Sequence, residues 1–284
     1  MKIKLNNIFP LSLVLVFALL PLILGIGYAL LYSFGIIGVL NNGFTTSHWQ
    51  AVFGSYEVVL SFIYTITLGV VSILLCVSAA IFLAILLGKK VQKGIASYFI
   101  YLPMAFPTIV AAFFFFQFLS NAGFLSRLFF KIGIINNLSD FPNMVNDEFS
   151  IGIIIAQFFL TLPIFVLLYS SIIANENIEK LKVLASSLGA TKKQILRRVT
   201  LPALLKKSFP TIILFFIFKL GSYEIPQLLG RSSPETISVL TVRKMQRFNL
   251  LDIPQGYAIA VVYSLLIMIL LVLSLKPSKL SINV

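Results

Sequence analysis

Long apolar stretches alternate with short polar ones along the whole chain. No Asp, Glu, Lys or Arg occurs between Lys4 and Glu57, and within that stretch Ile8 to Ile37 is almost wholly apolar. Further charge-free runs cover Val58–Gly88, Gly94–Ser126, Phe149–Asn175 and Ile253–Leu275. A sixth, Ser208–Gly230, is interrupted only by Lys219 and Glu224. About 20 apolar residues cross a bilayer as a helix, and longer runs are absorbed by tilt or interfacial ends. The pattern predicts an all-α integral membrane protein, a single transmembrane domain over residues 1–284. Its six transmembrane helices are expected near 8–35, 58–88, 94–120, 149–173, 208–230 and 254–275. The first run exceeds the apolar core of about 7–15 residues found in a secretory signal and shows no small-residue cleavage pattern, so it reads as a retained helix.

The polar segment 175–207 has a pattern of its own. Ile178, Leu181, Leu184, Ala185 and Leu188 recur at three- and four-residue spacing, which marks one face of a short helix. Gly189 follows, where a left-handed residue ends a helix at least cost. Thr191 and Gln194 have capping-box spacing, so a second helix starts there and is expected to run to about Val199. Leu201-Pro202 is expected to end it, because the residue before proline is pushed out of the helical region. The prediction is a basic helix–turn–helix hairpin between the fourth and fifth spans. The outer loop between the third and fourth spans is expected to hold a short helix around Leu125–Ile132.

Composition agrees with a membrane chain. Of 284 residues, 59% are hydrophobic and 11% charged, whereas a soluble domain carries about 25% charge. A globule this apolar lacks the polar residues to cover its surface. Cys76 and His48 are the sole cysteine and histidine. Internal disulfides, cysteine metal clusters, histidine triads and multi-histidine metal sites within one chain are thereby excluded.

The net charge of +13 raises the question of nucleic acid. Its distribution answers otherwise. With six spans both termini share one side, which collects Lys2, Lys4, Lys89, Lys90, Lys93, eight Lys/Arg of segment 174–207, Lys276 and Lys279, fifteen in all. The opposite side holds six: Arg127, Lys131, Arg231, Arg243, Lys244 and Arg247. The positive-inside rule then puts both termini in the cytoplasm, and topology accounts for the charge without nucleic acid.

The hairpin residues resemble a known family. Ala185, then Gly189 four positions on, then Val199-Thr200-Leu201-Pro202 after nine more residues is similar to the loop motif of binding-protein-dependent ABC transporter permeases. That motif reads Glu-Ala-Ala, three residues, Gly, nine residues, Ile-x-Leu-Pro. Gly189, Ala190, Leu201 and Pro202 match, and Val199 replaces Ile. Val183 stands where the family usually has Glu, and Leu184 where it has Ala. Ser61–Thr65, Leu102–Pro107 and Gly221–Gly230 also look like family segments, the last particularly like that of polyamine-type (spermidine/putrescine) permeases.

The resemblance implies the permease subunit of an ATP-driven importer in a bacterial cytoplasmic (inner) membrane. It implies two copies of an ATP-binding subunit docked on Leu184, Ala185, Leu188, Gly189, Ala190, Val199, Leu201 and Pro202. It further implies a second permease, identical or related, and an extracytoplasmic binding protein that delivers a small solute, a polyamine-like organic ion being favoured. No Gly-x-x-x-x-Gly-Lys-Ser/Thr loop exists in the chain to cradle phosphates. No cofactor is therefore expected on this chain, and ATP belongs to the partner.

Lys219 and Glu224 are the only charges inside a predicted span, and such residues are expensive to bury and commonly functional. They are expected to line the translocation path together with Tyr223, or else to satisfy neighbouring helices. On one regular helix they would point about 140° apart, so pairing would need distortion at Gly221 or Pro226. Two rival readings carry less support. A stand-alone secondary carrier or channel would more often show inverted repeats and several embedded acids. A membrane enzyme would need paired carboxylates, a Ser/His pair or a metal site, so the chain is not expected to be an enzyme.

Overall fold

The computed structural model describes residues 8–39, 41, 43–88, 98 and 100–275. Lys2, Lys4, Lys89, Lys90, Lys93, Lys276 and Lys279, part of the expected cytoplasmic set, lie outside these. The regular structure of the described residues is all helical, with no strand. In order they form α1 (Ile8–Ser33), α2 (Ser47–Gly54), α3 (Tyr56–Leu87), α4 (Thr108–Leu119), α5 (Phe124–Lys131), α6 (Ile151–Asn175), α7 (Ile178–Ser187), α8 (Lys192–Ile195), a π-turn (Leu196–Thr200), α9 (Leu201–Leu220), α10 (Glu224–Leu229), α11 (Ile237–Gln246) and α12 (Asp252–Leu275).

Among the described residues, five helical stretches are long and apolar enough to cross a membrane: Tyr56–Leu87, Thr108–Lys131, Ile151–Asn175, Lys192–Leu220 and Asp252–Val272. A shorter apolar stretch, Leu19–Ser33, lies within α1. Three expected boundaries shift. Of the third span, expected over 94–120, residues 94–97 and 99 lie outside the described ones; residues 98, 100 and 101 are helical, a 3-10 turn follows at Leu102–Ala105, and the long helix starts at Thr108. Pro107 explains the break before Thr108, since it donates no backbone hydrogen bond and Phe106 before it is extended at φ −82°, ψ 124°.

The second hairpin helix does not stop at Leu201-Pro202. Helix continues from Lys192 to Leu220, and Leu201 itself is α-helical at φ −61°, ψ −47°. A π-turn makes this possible: the Leu201 amide donates to Leu196 five residues back, which widens the turn just where the proline ring needs room.

The fifth span, expected over 208–230, ends at Leu220. Gly221 caps it, and α10 starts afresh at Glu224 with Pro226 in its first turn. A proline fits there because first-turn amides have no intrahelical partner to lose. The short helix expected around Leu125–Ile132 is present as α5.

The chain falls into two compact units. One comprises Met1–Ser61 with Ile237–Met268, the other Phe62–Thr236 with Ile269–Val284. In the first, the end of α1 packs against α12 through Tyr28, Tyr32 and Tyr257, whose ring centroids lie 4.4–5.9 Å apart. Trp49 stacks on Phe34 and donates from Nε1 to Ser33 Oγ at 3.2 Å. An ion pair between Arg243 and Glu57 ties α11 to the start of α3.

The second unit holds two apolar clusters. Cys76, Ala80 and Ala84 of α3 present small side chains to Phe165, Tyr169 and Ile173 of α6, with Ile178 and Leu204 beneath. Ala112, Phe115 and Leu119 of α4 pack with Ile153 and Ala156 of α6 and with Ile225 and Leu229 of α10. The Phe113–Phe116 run reaches all sides of α4, as four consecutive residues must: Phe115 is buried while Phe113 and Phe114 face outward. α3 and α9 approach closely at Gly69, where a Cβ would lie 3.0 Å from Phe216 and 3.2 Å from Leu220. A side chain at 69 would require Phe216 and Leu220 to shift.

Candidate functional site

The hairpin is built from local signals that all agree. α7 ends in a Schellman motif: the Ala190 amide donates to Ala185 O and the Gly189 amide to Ser186 O, both at 3.0 Å. Gly189 has φ +83°, a region in which a side chain is strained, although nothing lies within 4 Å of a Cβ built there. Its requirement is therefore conformational, not steric. Thr191 and Gln194 then form the capping box, with the Gln194 amide donating to Thr191 Oγ1 at 3.3 Å and the Thr191 amide to Gln194 Oε1 at 2.8 Å.

Two apolar anchors fix the base of the hairpin. Ile178 and Leu204 are fully buried in the α3–α6 cluster. Glu176 and Lys207 clamp the same level with a 2.9 Å ion pair. Beyond the anchors the apolar stripe of α7 turns outward. Val183 is 66% exposed, Leu184 60% and Leu188 88%. An apolar helix tip left in the open has a partner surface as its ordinary explanation. Ala185, Ala190, Val199 and Leu201 are half-buried, and Pro202 is exposed. Glu179 pairs with Lys182 at 2.8 Å on the same helix.

The intramembrane charges take separate environments. Lys219 is buried at 8% exposure, and its ammonium donates to Ser72 Oγ of α3 at 3.0 Å and Thr161 Oγ1 of α6 at 3.2 Å. Thr161 Oγ1 in turn donates a hydrogen bond to the Gln157 main-chain carbonyl at 2.6 Å. No ion pair joins Lys219 to Glu224 among the described residues, because the helix break at Gly221 puts them on different helices. Tyr223 and Glu224 are half-buried at that break. Of the three residues expected on a path, Lys219 is thus turned into the helix core, and the other two sit where backbone is irregular.

Sequence reasoning missed the partners. Ser72 and Thr161 are common residues in membrane helices, and nothing in the chain marks them as lysine ligands. It also missed a cluster on α3, α6 and the segment after α10. Arg231 holds its guanidinium 5.6 Å above the Tyr64 ring, and Tyr64 OH lies 2.6 Å from Ser150 Oγ. Asp147 Oδ2 accepts from the amides of Phe149 and Ile151 at the start of α6, a carboxylate at the positive end of a helix.

Residues 76–276 match the model of the family described as binding-protein-dependent transport system inner membrane component. The chain belongs to that family, which makes it a multi-pass inner-membrane permease of the ABC transporter type. Its relatives include the spermidine/putrescine transport system permease protein PotB of Salmonella typhimurium, 28% identical over 165 residues, which is 57% of this chain and 54% of that protein. The PotB of Escherichia coli is also 28% identical over 165 residues, 56% of its length. The chain thus matches about half the length of these curated relatives.

Among solved structures, one similar chain is in the crystal structure of a bacterial alginate ABC transporter in complex with alginate pentasaccharide-bound periplasmic protein. The TM-score is 0.68 at 20% identity, covering 95% of this chain and 91% of that one. A second is in the crystal structure of a bacterial ABC transporter involved in the import of the acidic polysaccharide alginate. There the TM-score is 0.66 at 20% identity, covering 96% and 98%. At that identity the likeness shows the fold.

Proposed function

We propose that this chain is the translocation subunit of an ATP-driven solute importer. α1 serves as the first of six spans, and both termini and the hairpin lie in the cytoplasm. Two copies of an ATP-binding subunit dock on the hairpins of this chain and of a second permease, identical or related. An extracytoplasmic binding protein hands over the solute. ATP is bound and hydrolysed on the partner.

The observation that carries this reading is the hairpin itself. Its base is anchored by Ile178 and Leu204, while Leu184 and Leu188 are presented to the outside on a turn that Gly189 makes possible. An apolar helix tip of this kind fits a groove on a partner. Leu184, Ala185, Leu188, Gly189 and Ala190 form the contact, and Val199, Leu201 and Pro202 carry the displacement into the fifth span through the unbroken helix Lys192–Leu220.

A polyamine-like organic cation is the favoured solute. The likeness to spermidine/putrescine permeases supports it. So does the disposition of the charges, since the Lys219 ammonium is held by Ser72 and Thr161 while the Glu224 carboxylate stays half-buried at the helix break, beside Tyr223.

The test is affinity capture of the tagged full chain from its native membrane, followed by uptake in proteoliposomes. Co-capture of an ATPase, and ATP-dependent uptake of labelled spermidine or putrescine in the presence of the binding protein, are expected. Capture without any ATPase would overturn the importer reading. Uptake driven by ATP but indifferent to polyamines would overturn only the choice of solute.

A further inference from the structure

The two arms of the hairpin differ in chemistry. α7 exposes leucines; the second arm exposes cations. Lys192, Lys193, Arg197 and Arg198 all lie at the surface. The hairpin's two acids are already engaged, Glu179 by Lys182 and Glu176 by Lys207. Among the described residues no ion pair involves any of the four cations. Three of them converge: Lys193, Arg197 and Arg198 line one recess of about 570 Å³ together with Thr191 and Gln194. The π-turn assists, because its five-residue repeat brings Arg198 toward the face of Lys193, while Arg197 follows at ordinary four-residue spacing.

Concentrated, unpaired and outward-facing positive charge calls for an anionic partner. Anionic lipid and an acidic protein surface are the two sources, and helix geometry favours the second. The charge-free part of the fifth span begins at Ser208, ten residues beyond Arg198 and fifteen beyond Lys193 on one continuous helix. At 1.5 Å per residue the recess stands about 15–22 Å from that boundary. A tilt of about 40° shortens this only to about 11–17 Å. The headgroup layer is about 5–8 Å deep on each side. Lys206 and Lys207 sit at its level; the recess lies past it.

We propose that the basic face of Lys193, Arg197 and Arg198 is a second docking surface, which takes a carboxylate-rich patch of the ATP-binding subunit beside the groove that receives Leu184 and Leu188. This rests on the importer reading above and adds the sign of the contact. Val183 occupies the position where a glutamate would give the hairpin a negative tip, so in this chain the charge comes from the second arm and is positive. The apolar arm supplies salt-independent affinity, and the basic arm steers the approach and sets its orientation.

The experiment measures binding of the ATP-binding subunit to the full-length chain in nanodiscs of neutral phosphatidylcholine, from about 50 to 500 mM NaCl. The triple variant Lys193→Glu, Arg197→Glu, Arg198→Glu is expected to bind at least about tenfold more weakly at low salt, with most of the salt dependence gone. The glutamine triple variant should fall in between, and Leu188→Ser should weaken binding about equally at all salts. Equal affinity and equal salt dependence for wild type and triple reversal would overturn the proposal. So would a charge effect that disappears in neutral nanodiscs and returns when phosphatidylglycerol is added, which would assign the arm to lipid. A wild-type chain that binds no ATPase under any condition would instead overturn the importer reading.

Discussion

Lys219 on α9 and Thr161 on α6 are joined by a buried hydrogen bond of 3.2 Å, and the same ammonium reaches Ser72 on α3 at 3.0 Å. One side chain thus ties three helices one residue before α9 ends at Leu220. In water such bonds would exchange with solvent. In a membrane-embedded core there is no solvent to exchange with, and each lost partner leaves a polar group unsatisfied.

Lys219→Met keeps most of the stem and removes the ammonium. It should lower thermal stability in detergent, by about 1.5–3 kcal/mol in the range of hydrogen bonds to charged groups, while solute selectivity stays as it was. Thr161→Val should act in the same direction. The double variant, read by thermal unfolding, should show a coupling of about 0.5–3 kcal/mol. Strict additivity would mean that the contact does not hold the helices together, and altered selectivity would return Lys219 to the path.

Gly189 permits a graded test. Its φ of +83° is strained for any side chain, yet the space around it is open. Asparagine tolerates the left-handed region and valine does not, with a cost of about 1–2 kcal/mol for the β-branched residue. ATPase stimulation by binding protein should therefore fall in the order Gly, Asn, Val, with all three proteins inserted and expressed. A valine variant that couples normally would remove the hairpin turn from the mechanism.

The basic asymmetry predicts an orientation that labelling can read. Single cysteines at Asn137 and Ser233 in a Cys76→Ala background should react with an impermeant thiol reagent added outside. One at Ser186, exposed on α7, should react only after the membrane is opened. The reverse pattern would invert the topology and dismiss the docking surfaces together.

Glu224→Gln preserves shape and removes charge at the helix break. A cationic solute should then be taken up about tenfold more slowly, which corresponds to about 1.4 kcal/mol. Binding-protein docking, read by co-sedimentation, should be unaffected. Undiminished uptake of spermidine and putrescine would take Glu224 off the path.

Much of this molecule was legible before any coordinates. Charge-free runs need only count and length to be read as helices, and α3, α6 and α12 begin and end within about two residues of the runs expected over 58–88, 149–173 and 254–275. The turn of the hairpin was equally plain, since Gly189 and the Thr191–Gln194 box act through their own backbone and need no distant neighbour. Prolines were harder. Leu201-Pro202 reads as a stop signal by local rules, but a π-turn lets the helix pass; Pro226, read as a kink inside a span, instead sits in the first turn of a separate helix. A proline forbids one hydrogen bond, and which rearrangement absorbs that loss depends on what packs around it.

The chain by itself determined class, approximate helix positions and the hairpin turn, because hydrophobic length and capping chemistry are properties of residues and near neighbours. Tertiary structure alone decided what the charges do. Lys219 stood as an isolated cation in an apolar run until helices 147 and 58 residues away in sequence brought Ser72 and Thr161 to it. The same folding gave Glu176 to Lys207, while Lys193, Arg197 and Arg198 face outward. Burial and pairing are set by packing between distant segments, and a sequence read one window at a time contains the charges but not their partners.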